Sequence, residues 1–138
     1  MNIVIIEDEV YAARRLENMI HSYDASVTIV ARLESVEDSV EWFQNNAAPD
    51  LIFLDIHLED NLSFAIFEKV TISSPIVFTT ATDEMAAKAF SLKKIDYLLK
   101  PIVQNELNAV IEKYKHFPIE KRQAIAPTLF ADLMNRNQ

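Results

Sequence analysis

The sequence of 138 residues contains no glycine and no cysteine. Without glycine, a dinucleotide-binding fingerprint, a Walker A loop and a nucleophile elbow are all excluded, because each needs backbone that approaches phosphate closely or turns sharply. Every left-handed turn falls to a residue with a side chain, and Asn61 and the Asn45-Asn46 pair are the candidates. Without cysteine there is no disulfide framework and no thiolate metal site. No apolar run approaches the roughly 20 residues that span a bilayer. Met1 leads directly into strand-like Ile3-Val4-Ile5-Ile6, with no basic region before it and no small-residue cleavage site after it, so a cytoplasmic chain without membrane contact is expected. Positive charge is also scarce. Thirteen Lys and Arg against 21 Asp and Glu leave a net charge of −8, and nucleic-acid binding by this segment is not expected, since it requires a cationic surface.

What is present is half hydrophobic and one quarter charged, enough for one domain with a core of its own. Apolar strand formers occupy 2–6, 27–31, 51–54, 76–79 and 95–99. Helical periodicity follows each of them. Val10, Ala13, Leu16 and Ile20 mark a first helix to about His21, and Val36, Val40 and Phe43 a second that begins near Ser35. Ser63 is placed to cap a third carrying Phe64, Phe67 and Val70. A fourth over about 84–92 is mostly Ala and Met around Phe90, and Val103, Leu107, Val110, Ile111 and Tyr114 mark a fifth. Strict alternation of five strands with five helices predicts an α/β fold, a parallel sheet covered on both faces.

The run at 51–54 ends abruptly in Asp55. An Asp after a strand is ordinarily a turn former or a helix cap, so its neighbours have to decide its role. In a parallel sheet all carboxyl ends share one rim, which brings Glu7 and Asp8, Asp55, Thr80 and Lys100 together from four strands. Carboxylates gathered in this way repel unless cations compensate. Lys100 supplies one charge, and the all-oxygen donor set suits magnesium. A hydroxyl and an ammonium beside such a metal are what the oxygens of a transferring phosphoryl group need, while a carboxylate can serve as nucleophile and form an aspartyl phosphate. The chemistry named by these residues is phosphoryl transfer to Asp55.

Four features in order, Glu7-Asp8, the Leu54-Asp55-Ile56 context, Thr80-Ala81 and the run from Asp96 to Pro101, resemble the receiver domain of a two-component response regulator over about 1–116. Phe78-Thr79-Thr80-Ala81 and the run from Ile95 to Pro101 are most similar to receivers that precede a LytTR-type DNA-binding domain. The resemblance implies a flavodoxin-like, doubly wound sheet in order 2-1-3-4-5, a sensor histidine kinase as phosphodonor to Asp55, and control of transcription through an output domain beyond this segment. It implies magnesium held by Asp8, Asp55 and the backbone carbonyl of His57, with Glu7 acting through water. Lys100 would pair with the phosphoryl group and Thr80 would hydrogen-bond it, with Tyr97 as the aromatic switch and Lys100-Pro101 as a cis bond. Asn61 departs from the pattern, standing where such receivers often have glycine. His57 and Thr82 occupy the two variable positions that tune hydrolysis of the acyl phosphate.

Other readings give different expectations. A flavodoxin-like FMN protein would need phosphate-holding donors where Glu7-Asp8-Glu9 stand, and those acids would repel the cofactor. A magnesium-dependent phosphohydrolase would need a second Asp two residues after the nucleophile, where this chain has His57. A degenerate receiver acting only in protein interaction would not need the complete site. His21, His57 and His116 show no metal-ligand spacing, Trp42 beside Phe43 reads as packing, and Arg14-Arg15 as a solvated face or a kinase-docking surface. Lys88, Lys93, Asp96, Glu112 and Lys113 carry both signs near the fourth helix, fifth strand and fifth helix, and predict a phosphorylation-dependent, isologous homodimer through that face. The remainder, 117–138, reads as a linker or the start of an output region. Its Leu129, Phe130, Leu133 and Met134 share one side of a short helix after Pro127, which either packs back on the domain or acts as a tether.

Overall fold

The computed structural model describes residues 1–81, 88, 90, 91 and 95–130. Five strands, β1 (Asn2–Ile6), β2 (Thr28–Leu33), β3 (Leu51–Asp55), β4 (Ile76–Thr80) and β5 (Tyr97–Leu99), form one sheet in the order β2-β1-β3-β4-β5. All four pairings are parallel. β3 lies at the centre and is buried along its whole length, as is β4, because helices cover both faces and leave no polar side to the strand.

Alternation along the strands splits the core in two. Ile3, Ile5, Leu51, Phe53, Val77 and Leu98 face α1 (Val10–Tyr23) and α4 (Gln104–Lys115), which contribute Ala13, Leu16, Ile20, Leu107 and Ile111. Val4, Ile6, Ile52, Leu54, Ile76 and Phe78 face the opposite side, against α2 (Val36–Asn45), a 3-10 turn at Ser63–Ala65 and the short α3 (Ile66–Lys69). Lys88, Phe90 and Ser91 are helical and lie inside the helix expected over 84–92. The rest of that expectation falls outside the described residues, as do Thr82, Lys93, Leu133 and Met134.

Several boundaries differ from the sequence reading. β2 runs to Leu33 because the Glu7 amide donates to the Leu33 carbonyl at 2.9 Å and keeps the two strands paired. β5 starts only at Tyr97, since the Ile95 amide turns back to the Phe90 carbonyl at 2.9 Å. Val10 and Val103, expected on inward faces, are each 52% exposed because they sit at the amino-terminal ends of their helices. Ser63 caps no helix: its hydroxyl is buried and has no hydrogen-bond partner among the described residues. The remote cap instead belongs to α2, whose Val36 and Glu37 amides donate to the Asp60 carboxylate at 2.9 and 3.1 Å while Ser35 Oγ accepts from Asp38.

After α4 the chain passes the amino-terminal ends of β3 and β4. Arg122 donates to Asp50 at 3.0 Å and the Ile125 amide to the Ile72 carbonyl at 3.0 Å. A 3-10 turn at Pro127–Phe130 then buries Phe130 completely in the Phe78 face of the core. Leu129, grouped with it in the sequence, stays 37% exposed.

Candidate functional site

Backbone hydrogen bonds fix the carboxyl-terminal rim before any side chain is considered. Asp55 is the last residue of β3 and lies opposite Thr79 of β4, to whose carbonyl the Ile56 amide donates at 3.2 Å. The Lys100 amide donates to the Thr80 carbonyl at 2.8 Å, so the chain leaving β5 stays beside the end of β4. The peptide bond from Lys100 to Pro101 is cis. After Asp55, the Ser63 amide returns to the Ile56 carbonyl, and His57 and Leu62 form an antiparallel bridge that closes the intervening loop.

The side chains on this frame converge. One carboxylate oxygen each from Glu7, Asp8 and Asp55 lies within 4.8 Å of the others. Lys100 Nζ donates to Asp55 Oδ2 at 2.7 Å and also to Glu7 Oε1. The second Asp55 oxygen accepts from the His57 amide at 3.2 Å, and the second Glu7 oxygen from the Glu9 amide at 3.2 Å. Glu7 and Asp55 are buried, whereas Asp8 is partly open to solvent. Burial raises the Asp8 carboxyl above its usual range, and the hydrogen bond and charge of Glu7 add to the rise. Burial pulls the Lys100 ammonium down, but its bonds to Asp55 and Glu7 outweigh that and leave it above its ordinary value. Three acids against one ammonium leave a residual negative charge in a confined all-oxygen pocket, which a hard divalent cation complements.

The remaining sequence candidates lie nearby with different contacts. Thr80 is buried, and its hydroxyl donates to the Ala81 carbonyl at 2.8 Å rather than to Asp55. Tyr97 is half-buried, its ring centroid 5.9 Å from that of Phe90 and its hydroxyl 3.4 Å from Ser91 Oγ. The His57 side chain is exposed, and the tie to Asp55 is made by its backbone amide. His21 Nε2 donates to the Val27 carbonyl at 2.9 Å, and His116 is exposed beside Glu112. Trp42 packs edge-on against Phe43 at 5.1 Å.

A cleft of about 300 Å³ opens beside the acids, lined among others by Glu7, Tyr11, Arg15, Lys100 and Ile102. Tyr11 at its rim is 82% exposed.

The model for the response regulator receiver domain matches residues 3–112. This chain belongs to the response regulator receiver family. It is 40% identical over 116 residues to the sensory transduction protein LytT of Enterococcus faecalis, covering 82% of this chain and 47% of that protein. With the sensory transduction protein LytR of Staphylococcus epidermidis it shares 34% over 116 residues, covering 82% of this chain and 45% of that one. The crystal structure of the response regulatory domain of protein mrkE from Klebsiella pneumoniae superposes with a TM-score of 0.68 at 29% identity, over 85% of this chain and all of that one. The chain thus spans about half the length of these LytT and LytR relatives. Its sheet order is the one that the resemblance implied, and it is the receiver domain of a response regulator related to LytT and LytR. Among the described residues no helix is long and apolar enough to cross a membrane.

Proposed function

We propose that Asp55 accepts a phosphoryl group from a phosphohistidine on a sensor histidine kinase, and that the receiver, taken as about 1–116, passes this state to an output region following 117–138. The observation that carries the reading is the pairing of Asp55 with Lys100 at 2.7 Å inside an acidic pocket at the end of the central strand. One Asp55 oxygen attacks phosphorus, an oxygen–phosphorus bond forms, the nitrogen–phosphorus bond breaks with its electron pair returning to nitrogen, and the imidazole, already protonated on its other nitrogen, leaves as the neutral ring. Lys100, already within reach of Asp55, follows the incoming phosphoryl oxygens and offsets their charge. Thr80 turns its hydroxyl from the Ala81 carbonyl to a phosphoryl oxygen, and Tyr97 turns into the volume that Thr80 leaves. Asp8, Asp55 and the His57 carbonyl would hold magnesium directly and Glu7 through water; bound there, the metal neutralises charge on the transferring group.

The kinase docks along the first turn of α1, where Val10 is exposed and the exposed Tyr11 borders the cleft that leads to Glu7 and Lys100. Similarity to LytT and LytR supports a DNA-binding output of the LytTR type and hence control of transcription. The helix containing Phe90, together with β5 and α4, forms the face through which the phosphorylated receiver pairs with a second copy. Asp96 and Lys113 of this face bond each other at 2.8 Å, so dimerisation exchanges an internal ion pair for one between subunits.

Incubation with a small phosphodonor and magnesium, followed by mass analysis, tests the acceptor. One phosphoryl group on Asp55, lost in Asp55→Asn, is expected. A group found elsewhere, or full labelling of Asp55→Asn, overturns the reading.

A further inference from the structure

The buried end of the segment after α4 is joined to Tyr97 by an unbroken line of aromatic rings. Phe130 stacks on Phe64 at 4.5 Å and 12°, and packs against Phe67 and Phe78, both at 5.4 Å. Phe78 in turn stacks on Phe90 at 4.8 Å and 11°, and Phe90 meets Tyr97 at 5.9 Å. Phe78 is two residues before Thr80 on β4 and pairs in register with Tyr97. Phe130 therefore packs directly on the ring that stands along the strand from Thr80 and across from Tyr97, the two residues whose rearrangement the proposed phosphorylation requires. Its place exists because the third helix is short: α3 ends at Lys69, and the Phe64, Phe67 and Phe78 rings would otherwise lack a cover. Two further contacts hold the same segment, Arg122 to Asp50 and the Ile125 amide to Ile72.

We propose that residues 117–130 form an intramolecular strap whose docking through Phe130 is coupled to the state of Asp55, so that loading Asp55 loosens the strap and frees the chain that leads out of the receiver. The inference rests on Asp55 as the acceptor. Its direction follows from the packing. The strap is docked while the Thr80 hydroxyl is bonded to Ala81, and closely packed rings accept discrete rearrangements rather than gradual deformation. When Thr80 turns toward Asp55 and Tyr97 follows it, Phe90 loses the ring at its edge. The Phe78–Phe90 stack then relaxes, and the wall that holds Phe130 opens. Coupling between two sites is reciprocal, so releasing the strap must strengthen binding at Asp55 by the same factor.

The test uses the full 138-residue chain with magnesium and beryllofluoride as the phosphoryl mimic. Hydrogen exchange at the Ile125 amide reads the strap directly, and calorimetry reads mimic affinity. Beryllofluoride is expected to speed Ile125 exchange about tenfold, within the usual range of coupling between sites. Phe130→Ala is expected to tighten beryllofluoride binding by a similar factor. Arg122→Ala cuts the strap at one of its two other anchors, removes nothing from the ring cluster, and should tighten binding in the same direction. Unchanged or slower Ile125 exchange overturns the proposal, as does equal mimic affinity in wild type and Arg122→Ala. If beryllofluoride does not bind, or binds Asp55→Asn equally well, the acceptor reading fails and the strap proposal with it. Normal binding with no response at Ile125 removes the strap proposal alone.

Discussion

Replacing Lys100 by methionine keeps most of the side-chain stem and removes the charge, which isolates what the ammonium does for the acidic pocket. In the native protein Nζ bonds both Asp55, at 2.7 Å, and Glu7. Lys100→Met leaves Glu7, Asp8 and Asp55 with oxygens within 4.8 Å of one another and no cation bonded to them. Removing one partner of a buried ion pair costs about 3–5 kcal/mol. The Lys100 side chain retains 27% exposure, so water screens part of the interaction. That discount brings the expected loss to about 2–3 kcal/mol, or a fall in Tm of about 6–12 °C for a domain of this size. Magnesium should reverse part of it. Ammonium and metal compete for the same carboxylates, so the variant binds the metal more tightly than wild type does. Tenfold tighter binding would narrow the stability gap by about 1.4 kcal/mol at saturating metal. Thermal unfolding of both proteins at pH 7, first in EDTA and then across a magnesium titration, measures each quantity. Equal Tm values in EDTA would refute the claim that Lys100 offsets the acids. A gap that widens with magnesium would refute the claim that the two cations share one site.

Asp60→Ala removes the remote cap of α2 and should cost about 1 kcal/mol, seen as a lower urea midpoint with an unchanged slope. Asp50 is pushed up by burial, but the Asn2 amide and Arg122 outweigh that and hold it below its ordinary value of 3.8. Its contribution to stability is therefore present above that pH and lost as the pH falls through the lower folded value, so Asp50→Asn should lower stability at pH 7 and flatten the decline below about pH 4 in denaturant titrations. Sedimentation with beryllofluoride should show a dimer that weakens as salt rises, and a monomer at all salt concentrations would remove the proposed face.

The cores of β1, β3 and β4 were legible in the sequence because a strand buried on both faces reads as a continuous apolar run, whereas the half-exposed edge strand β2 was marked by its β-branched residues. The ends were less so, since they depend on cross-strand hydrogen bonds such as Glu7 to Leu33 and on the turn that takes the Ile95 amide back to Phe90. The convergence of Glu7, Asp8, Asp55 and Lys100 followed from topology alone: parallel strands deliver their carboxyl ends to one rim, and residues just beyond those ends must meet. Periodicity placed Val10 and Val103 inward because it treats a helix as uniformly covered, whereas these two stand at the amino-terminal ends of their helices and are half exposed.

The missed features share a cause of another kind. Ser63 has the residue type of a helix cap, and Asp60 has nothing in its neighbours to mark it as one; only the returning loop brings its carboxylate to the Val36 and Glu37 amides of a helix that precedes it. Phe130 was grouped with Leu129, Leu133 and Met134 as one side of a short helix. How much of the Phe64–Phe67–Phe78 face needs covering depends on where the third helix stops, and Phe64, Phe67 and Val70 at helical spacing suggested a longer element than Ile66–Lys69. With the helix shortened, Phe130 covers the Phe64, Phe67 and Phe78 rings, and burying one large apolar side chain there is worth about 1.5–3 kcal/mol. That gain adds to the Arg122–Asp50 and Ile125–Ile72 contacts in holding 117–130 on the domain, and it is small enough to be overcome by a rearrangement of its neighbours. A segment that reads as a linker by composition is thereby held at an energy that a phosphoryl-dependent shift of Phe90 and Tyr97 can offset.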